Sequence, residues 1–161
     1  MLPDIRKILY ATDMSDNAAP AFRYAVFLAK KTDADIHILH VVEKLSNDAR
    51  ITLESYVLEE DQRERILHER VSNAKKRLTK RLDDFVAALE GEDRQLRDKI
   101  ASVEVCESYP VEEIVERGRD CDLIVMGTHE KGFMSTFIGS VAKNVLHNSS
   151  VPVLVVPLPR K

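Results

Sequence analysis

Gly127, Gly132 and the pair Gly139-Ser140 are the residues of this chain whose spacing holds the most chemistry. An apolar run, Leu123 to Met126, stops at Gly127, and a loop punctuated by Gly132 follows. Gly139-Ser140 then opens a run, Val141 to His147, that reads as a helix. The first backbone N–H groups of a helix lack intrahelical partners and sit at the positive end of its dipole, so a phosphate fits there. Glycines let the backbone approach that phosphate with no Cβ in the way. The plainer alternative is that these glycines only turn the chain after a buried strand. Three of them plus a serine at a helix start, in one strand-to-helix connection, favour the anion site.

Of two familiar phosphate sites, one is excluded and the other disfavoured. Gly127-x-x-x-x-Gly132 begins like a Walker loop, but Phe133-Met134 stand where the lysine and the Mg²⁺-binding hydroxyl belong. No G-x-G-x-x-G follows any strand, which argues against a dinucleotide fingerprint.

The elements that position these residues are five β-like runs alternating with helical patterns. The strands read as Lys7–Ala11, Asp35–Val42, Ser102–Cys106, Leu123–Met126 and Val151–Val156. A first helix is predicted over 18–30, capped by Ser15 or Asp16, because Ala18, Phe22, Ala25, Val26 and Ala29 recur at helical spacing. Pro110 opens another at 111–119, where its missing N–H costs nothing. Strands separated by helices imply right-handed βαβ units, and so an α/β fold with an open parallel sheet sandwiched by helices.

Residues 43–99 form a long insert between the second and third strands. Leu67, Val71, Ala74, Leu78, Leu82, Phe85 and Leu89 mark its helical core, while Arg65, Lys75, Lys76, Arg77, Lys80 and Arg81 make a basic face. Interleaved acids favour a solvated face over a nucleic-acid or membrane contact. The segment 45–58 reads as a loop or a short extra helix over the ligand crevice.

A length of 161 residues with 44% hydrophobic content suits one domain spanning 1–161. A net charge of −3 gives no bulk attraction to nucleic acid. The cysteines are two, Cys106 and Cys121, without metal-type spacing, and are expected to sit reduced as small buried hydrophobes. The N-terminus runs straight into a strand, leaving no room for a signal peptide, and no apolar run spans a bilayer. The expectation is a cytoplasmic protein with no membrane or nucleic-acid partner.

With the strands placed, the chain resembles the universal stress protein family over essentially its whole length. The resemblance rests on Ile8-Leu-Tyr-Ala-Thr12-Asp13-Met-Ser15, on Leu39-His40-Val41-Val42, and on Asp122-Leu-Ile-Val-Met-Gly-Thr-His129 with Gly139-Ser140-Val-Ala-x-x-Val145 and Val151-Pro-Val-Leu-Val-Val-Pro157. It implies a Rossmann-like five-stranded parallel sheet in the order 3-2-1-4-5, related to the adenine nucleotide alpha hydrolases, with ligands held where the order reverses. Nucleotide-binding members carry G-x-x-G, nine residues, then G and Ser or Thr. This chain keeps Gly127 and Gly139-Ser140, has Glu130 at the second glycine, and is one residue shorter in the loop. A glutamate there repels phosphates unless it turns to solvent or meets them through Mg²⁺.

The resemblance therefore implies ATP, ADP or AMP as ligand, with or without Mg²⁺. Asp13 would meet ribose hydroxyls or a cation; its other role is to cap the next helix. Ala11, Thr12, Val41 and Met126 would line an adenine slot, and Gly127, Gly132, Gly139, Ser140 and Val141 would cradle ribose and phosphates, with His129 beside a phosphate. A homodimer through strand five, Val151–Val156, is expected from its apolar edge and from the family. Two functions stand against each other: a nucleotide-binding regulator in the stress response, with slow ATP hydrolysis at most, and a non-nucleotide dimeric interaction module.

Overall fold

β1 (Lys7–Ala11) is out of water on both faces, with Ile8, Leu9, Tyr10 and Ala11 at most 6% exposed. A strand of that kind belongs inside a parallel sheet covered on both sides. The computed structural model, which describes residues 2–15, 18–89, 91–128 and 138–158 (and not the side chains of 92 and 94), places it there. β2 (Asp35–Glu43) and β4 (Leu123–Gly127) flank β1, while β3 (Ile100–Ser108) and β5 (Val153–Val156) lie outermost. All pairings are parallel, in the order β3-β2-β1-β4-β5, with Tyr10 opposite both Ile38 and Val125.

Alternation sorts the sheet into two cores. Ile8, Tyr10, Ile36, Ile38, Leu123 and Val125 pack under α1 (Ala19–Thr32) and under Ala74 and Leu78 of the insert. Leu9, Ala11, Leu39, Ile124 and Met126 pack under α5 (Pro110–Gly118) and α6 (Ser140–Asn148). Ala21, Ala25 and Ala29 on the inner stripe of α1 let that helix lie close to the strands.

Several boundaries differ from the sequence reading. The expected cap by Ser15 does not form: α1 starts at Ala19, its N-cap is Ala18, and no side chain caps it. Ser15 lies three residues before the N-cap, too far for its hydroxyl to serve the first turn, and its buried Oγ has no partner among the described residues. Asp16 lies outside them. β5 begins at Val153 rather than Val151. Pro152 has no N–H to give, although its carbonyl accepts from Ile124 N at 3.0 Å. Cys106 and Cys121 are half-buried rather than fully buried, and burial pushes both thiols up.

The insert folds as α2 (Asn47–Tyr56), α3 (Glu60–Ala87), a 3-10 turn at Gly91–Gln95 and a short α4 (Leu96–Lys99). α3 follows the predicted apolar stripe, and its Phe85 ring meets Phe22 edge-on at 4.7 Å. The basic face is partly spent inside the molecule. Lys80 pairs with Asp84 at 2.7 Å, Lys75 donates to the Val103 carbonyl, and Arg81 reaches the loop after β1; Arg70, which is not part of that face, pairs with Glu107 at 3.0 Å. α2 is capped by Ser46, which accepts from Ala49 N at 3.2 Å, and buries no residue.

At the amino ends of the strands one carboxylate sets the starting register. Asp122 Oδ2 accepts from the N–H groups of both Arg6 and Lys7 at 2.9 Å, and Asp122 N donates to the Lys7 carbonyl at 2.9 Å. These donors hold the Asp122 carboxyl below the usual carboxylate range. A group whose folded pKa is depressed stabilises above its unfolded value, near 3.9, and loses that contribution as pH falls through the folded pKa. Asp122→Asn is therefore expected to lower the melting temperature at pH 7, with the gap to wild type narrowing towards pH 3 in a calorimetric pH series.

A crevice at the carboxyl ends of β1 and β4

α1 leaves the end of β1 over one face of the sheet, and α6 follows β4 over the other. The strand ends part there and leave a crevice of about 400 Å³. Ala11, Thr12, Asp13, Val41, Met126, Gly127, Ser140 and Val141 all line it, as the sequence reading expects. Gly139 does not line it but stands behind as the N-cap of α6, at φ +85°, a conformation that favours glycine. His129, Glu130 and Gly132 lie outside the described residues.

The β1 side of the crevice is a tightly bonded loop. Thr12 N donates to the Leu39 carbonyl at 2.9 Å, and Thr12 Oγ1 accepts from Met14 N at 3.0 Å. His40 Nδ1 is 2.7 Å from the Thr12 carbonyl; a carbonyl only accepts, so Nδ1 carries the proton. Asp13 Oδ1 accepts from Ser15 N at 2.9 Å, a local turn that presents the exposed carboxylate at the rim rather than capping α1. Met14 turns the chain at φ +57°, and Arg81 Nη1 donates to the carbonyls of Met14 and, at 3.0 Å, of Ser15. A helix of the insert thus braces the loop from outside.

The rest of the wall came from residues that sequence reasoning passed over. Pro110 and Ile114 of α5, Leu39 of β2, and Ala18 and Ala21 of α1 add apolar surface, while His40 and Glu43 add polar groups. Tyr10 donates to the Ala18 carbonyl at 3.4 Å, and burial pushes its phenol up to about 12, so it remains a neutral donor. The segment expected over the crevice does not line it: no residue of 45–58 does so, and α2 packs beside α3 and Tyr109 over a separate hollow. A family signal in Leu39-His40-Val41 pointed at His40; nothing local in the sequence pointed at Arg81.

The largest omission is Leu158. Thr128 N donates to the Val156 carbonyl at 3.0 Å, and Thr128 Oγ1 accepts from Leu158 N at 2.9 Å, so the chain leaving β5 is strapped to the end of β4. A Cβ on Gly127 would lie 2.8 Å from Cγ and both Cδ atoms of Leu158. Gly127 is therefore a glycine at least in part because a leucine rests on it.

Chemically, the arrangement offers an apolar slot, a rim carboxylate and a helix N-terminus with no side-chain cap. Among the described residues no three His, Cys, Asp or Glu side chains converge to hold a metal unaided. No described helix is long and apolar enough to cross a membrane.

An open α/β sheet with its crevice at the strand-order reversal defines the class of protein. The profile of the universal stress protein family matches residues 4–157, and the chain belongs to that family. It is 32% identical to universal stress protein MJ0531 of Methanocaldococcus jannaschii, over 97% of this chain and 84% of that one. It is 29% identical to MJ0577 of the same organism, over 94% of each. The solved structure of MJ0577 superposes with a TM-score of 0.66, covering 99% of this chain and all of that one. A further solved universal stress protein, in complex with cAMP, shares the fold at a TM-score of 0.53 and 20% identity, over 98% of this chain and 100% of that one.

The brace is open to a direct check. Arg81→Met is expected to cost about 1–3 kcal/mol of stability, since it strips a charged donor from two carbonyls. It should also speed amide exchange at Ser15 and Ala18 relative to the strands, measured by NMR.

Proposed function

We propose that this universal stress protein binds an adenine nucleotide between the ends of β1 and β4, and that nucleotide occupancy is its regulatory state. The observation that supports this best is the crevice itself. It joins the apolar walls Ala11, Val41, Met126 and Ile114 to the carboxylate of Asp13 and to the first turn of α6. A base suits the walls, ribose hydroxyls suit the carboxylate, and a phosphate suits N–H groups at the positive end of a helix. The cAMP complex of the more distant relative illustrates a ligand of this chemistry on the same fold.

The test needs a variant that leaves the helix intact. Gly139→Val is unsuitable, because a branched residue at φ +85° is strained whatever binds nearby. Ser140→Glu instead places a carboxylate in the first helical turn, where it favours the helix dipole yet repels a phosphate. Calorimetric titration of AMP into wild type is expected to give saturable binding, weakened by about tenfold or more, some 1.4 kcal/mol, in Ser140→Glu. Absence of binding to wild type, and of any nucleotide released on denaturing the purified protein, ends the adenine reading.

The second part of the proposal is a homodimer on β5. Among the described residues this strand pairs with β4 alone, and Val153, Leu154 and Val155 are all partly exposed. Two copies meeting antiparallel across a two-fold axis would satisfy the free edge, with Pro152 and Pro157 fixing a short register. Light scattering at tens of micromolar should report a dimer, and Val153→Lys with Val155→Lys a monomer; a monomeric wild type refutes it.

A further inference from the structure

On the α1 side of the sheet a second cavity, of about 260 Å³, lies between α1 and α3. It shares Tyr10, Thr12 and Ala18 with the crevice as a common wall, and the rest of its lining is its own. Three rings form much of that lining. Tyr10 meets Phe22 with ring centroids 5.1 Å apart, Phe22 meets Phe85 at 4.7 Å, and Met14, Leu78 and Leu82 add aliphatic surface. Two polar groups stand among them. Arg81 lines the cavity, tied to the loop by its bonds to the Met14 and Ser15 carbonyls. Ser15 lines it as well, and its buried Oγ has no partner among the described residues. A buried hydroxyl left this way has given up its bonds to water and gained none, and such groups are rare in folded proteins.

We propose that this cavity is a second ligand site, taking a small aromatic carboxylate. The inference stands apart from the adenine-nucleotide reading of the crevice. Aromatic walls favour an aromatic ligand, whose ring they meet in offset or edge-on geometry. A carboxylate accepts from a hydroxyl, and its charge is favoured beside a guanidinium. The volume lies below the range of about 300–1,000 Å³ that drug-sized ligands occupy, which suits one ring or two fused rings. A water alone suits the site less well, since it needs about two to four polar partners and this lining is mostly aromatic and aliphatic.

Indole-3-acetate and indole are the probes, titrated into the whole protein while methyl shifts are followed by NMR. Indole-3-acetate is expected to saturate a site whose shifts centre on Met14, Leu78 and Leu82. It should bind about tenfold more tightly than indole, which has the ring without the carboxylate. Ser15→Ala removes the hydroxyl and should weaken indole-3-acetate about tenfold. The same change should leave the melting temperature unchanged or higher, because an unpartnered buried group is lost. Ala19→Leu adds bulk to the lining from the exposed first residue of α1, and should weaken both probes. If that variant does not fold, Ser15→Ala carries the test. No saturable binding to wild type, an unchanged affinity in Ser15→Ala, indole bound as tightly as indole-3-acetate, or shifts centred on Met126 and Val141 of the crevice each overturn the proposal.

Discussion

β1 exchanges hydrogen bonds on both sides, with β2 from Lys7 to Ala11 and with β4 from Ile8 to Ala11, while both of its faces are dry. A strand held like this needs helices above and below the sheet, and right-handed crossovers decide which helix goes where. α1 therefore leaves β1 over one face, and α6, entered from β4, lies over the other. The neighbouring ends of β1 and β4 have their continuations pulled apart, which opens a space between them. The crevice follows from burying β1, and any ligand chemistry is added afterwards by a few side chains at its edge.

Those side chains sit on a loop held from two directions. His40, on the neighbouring strand, donates to the Thr12 carbonyl, and Arg81, nearly seventy residues along the chain from that loop, reaches the carbonyls of Met14 and Ser15. Carbonyls before a helix that starts late, at Ala19, stand outside its ladder; that of Ser15 accepts from Ala18 N at 3.2 Å as well as from Arg81, and leaving a buried carbonyl unpaired costs about 1–3 kcal/mol. The guanidinium meets two of them at once. This gives the long insert a part in the site that its surface charge conceals: α3 packs Leu78 and Phe85 against the α1 side of the core and sends Arg81 between them to the loop.

What the sequence made legible was whatever had a short period. The strands showed as apolar runs, the α3 stripe as a repeat of three and four, and the family motifs as contiguous residues, so strand order and the crevice residues at the ends of β1 and β4 could be placed beforehand. α2 was open because it buries nothing: without an apolar face, only Ser46 and local propensity mark it. The Ser15 cap failed because Met14 takes a left-handed turn and the helix waits until Ala19, a choice made by contacts with His40 and Arg81 rather than by the capping residue. β5 was drawn two residues too long because hydrophobicity cannot see that Pro152 lacks an N–H.

Gly127 shows the limit most sharply. A glycine reports that a Cβ has no room and is silent on what fills the space. Local context, a glycine after a strand and before a serine-led helix, makes a phosphate the natural occupant. The structure sets Leu158 there, thirty-one residues on and brought back by one parallel crossover. The two are compatible only because the end of β4 has two sides, one under α6 and one beside α1. The leucine takes the α1 side, in contact with the core that contains Val125 and Val156. The α6 side holds the first turn of α6 at Ser140 and the apolar wall of Met126 and Ala142. The opening that the topology provides at Gly127 is therefore shared with a residue that no motif contains.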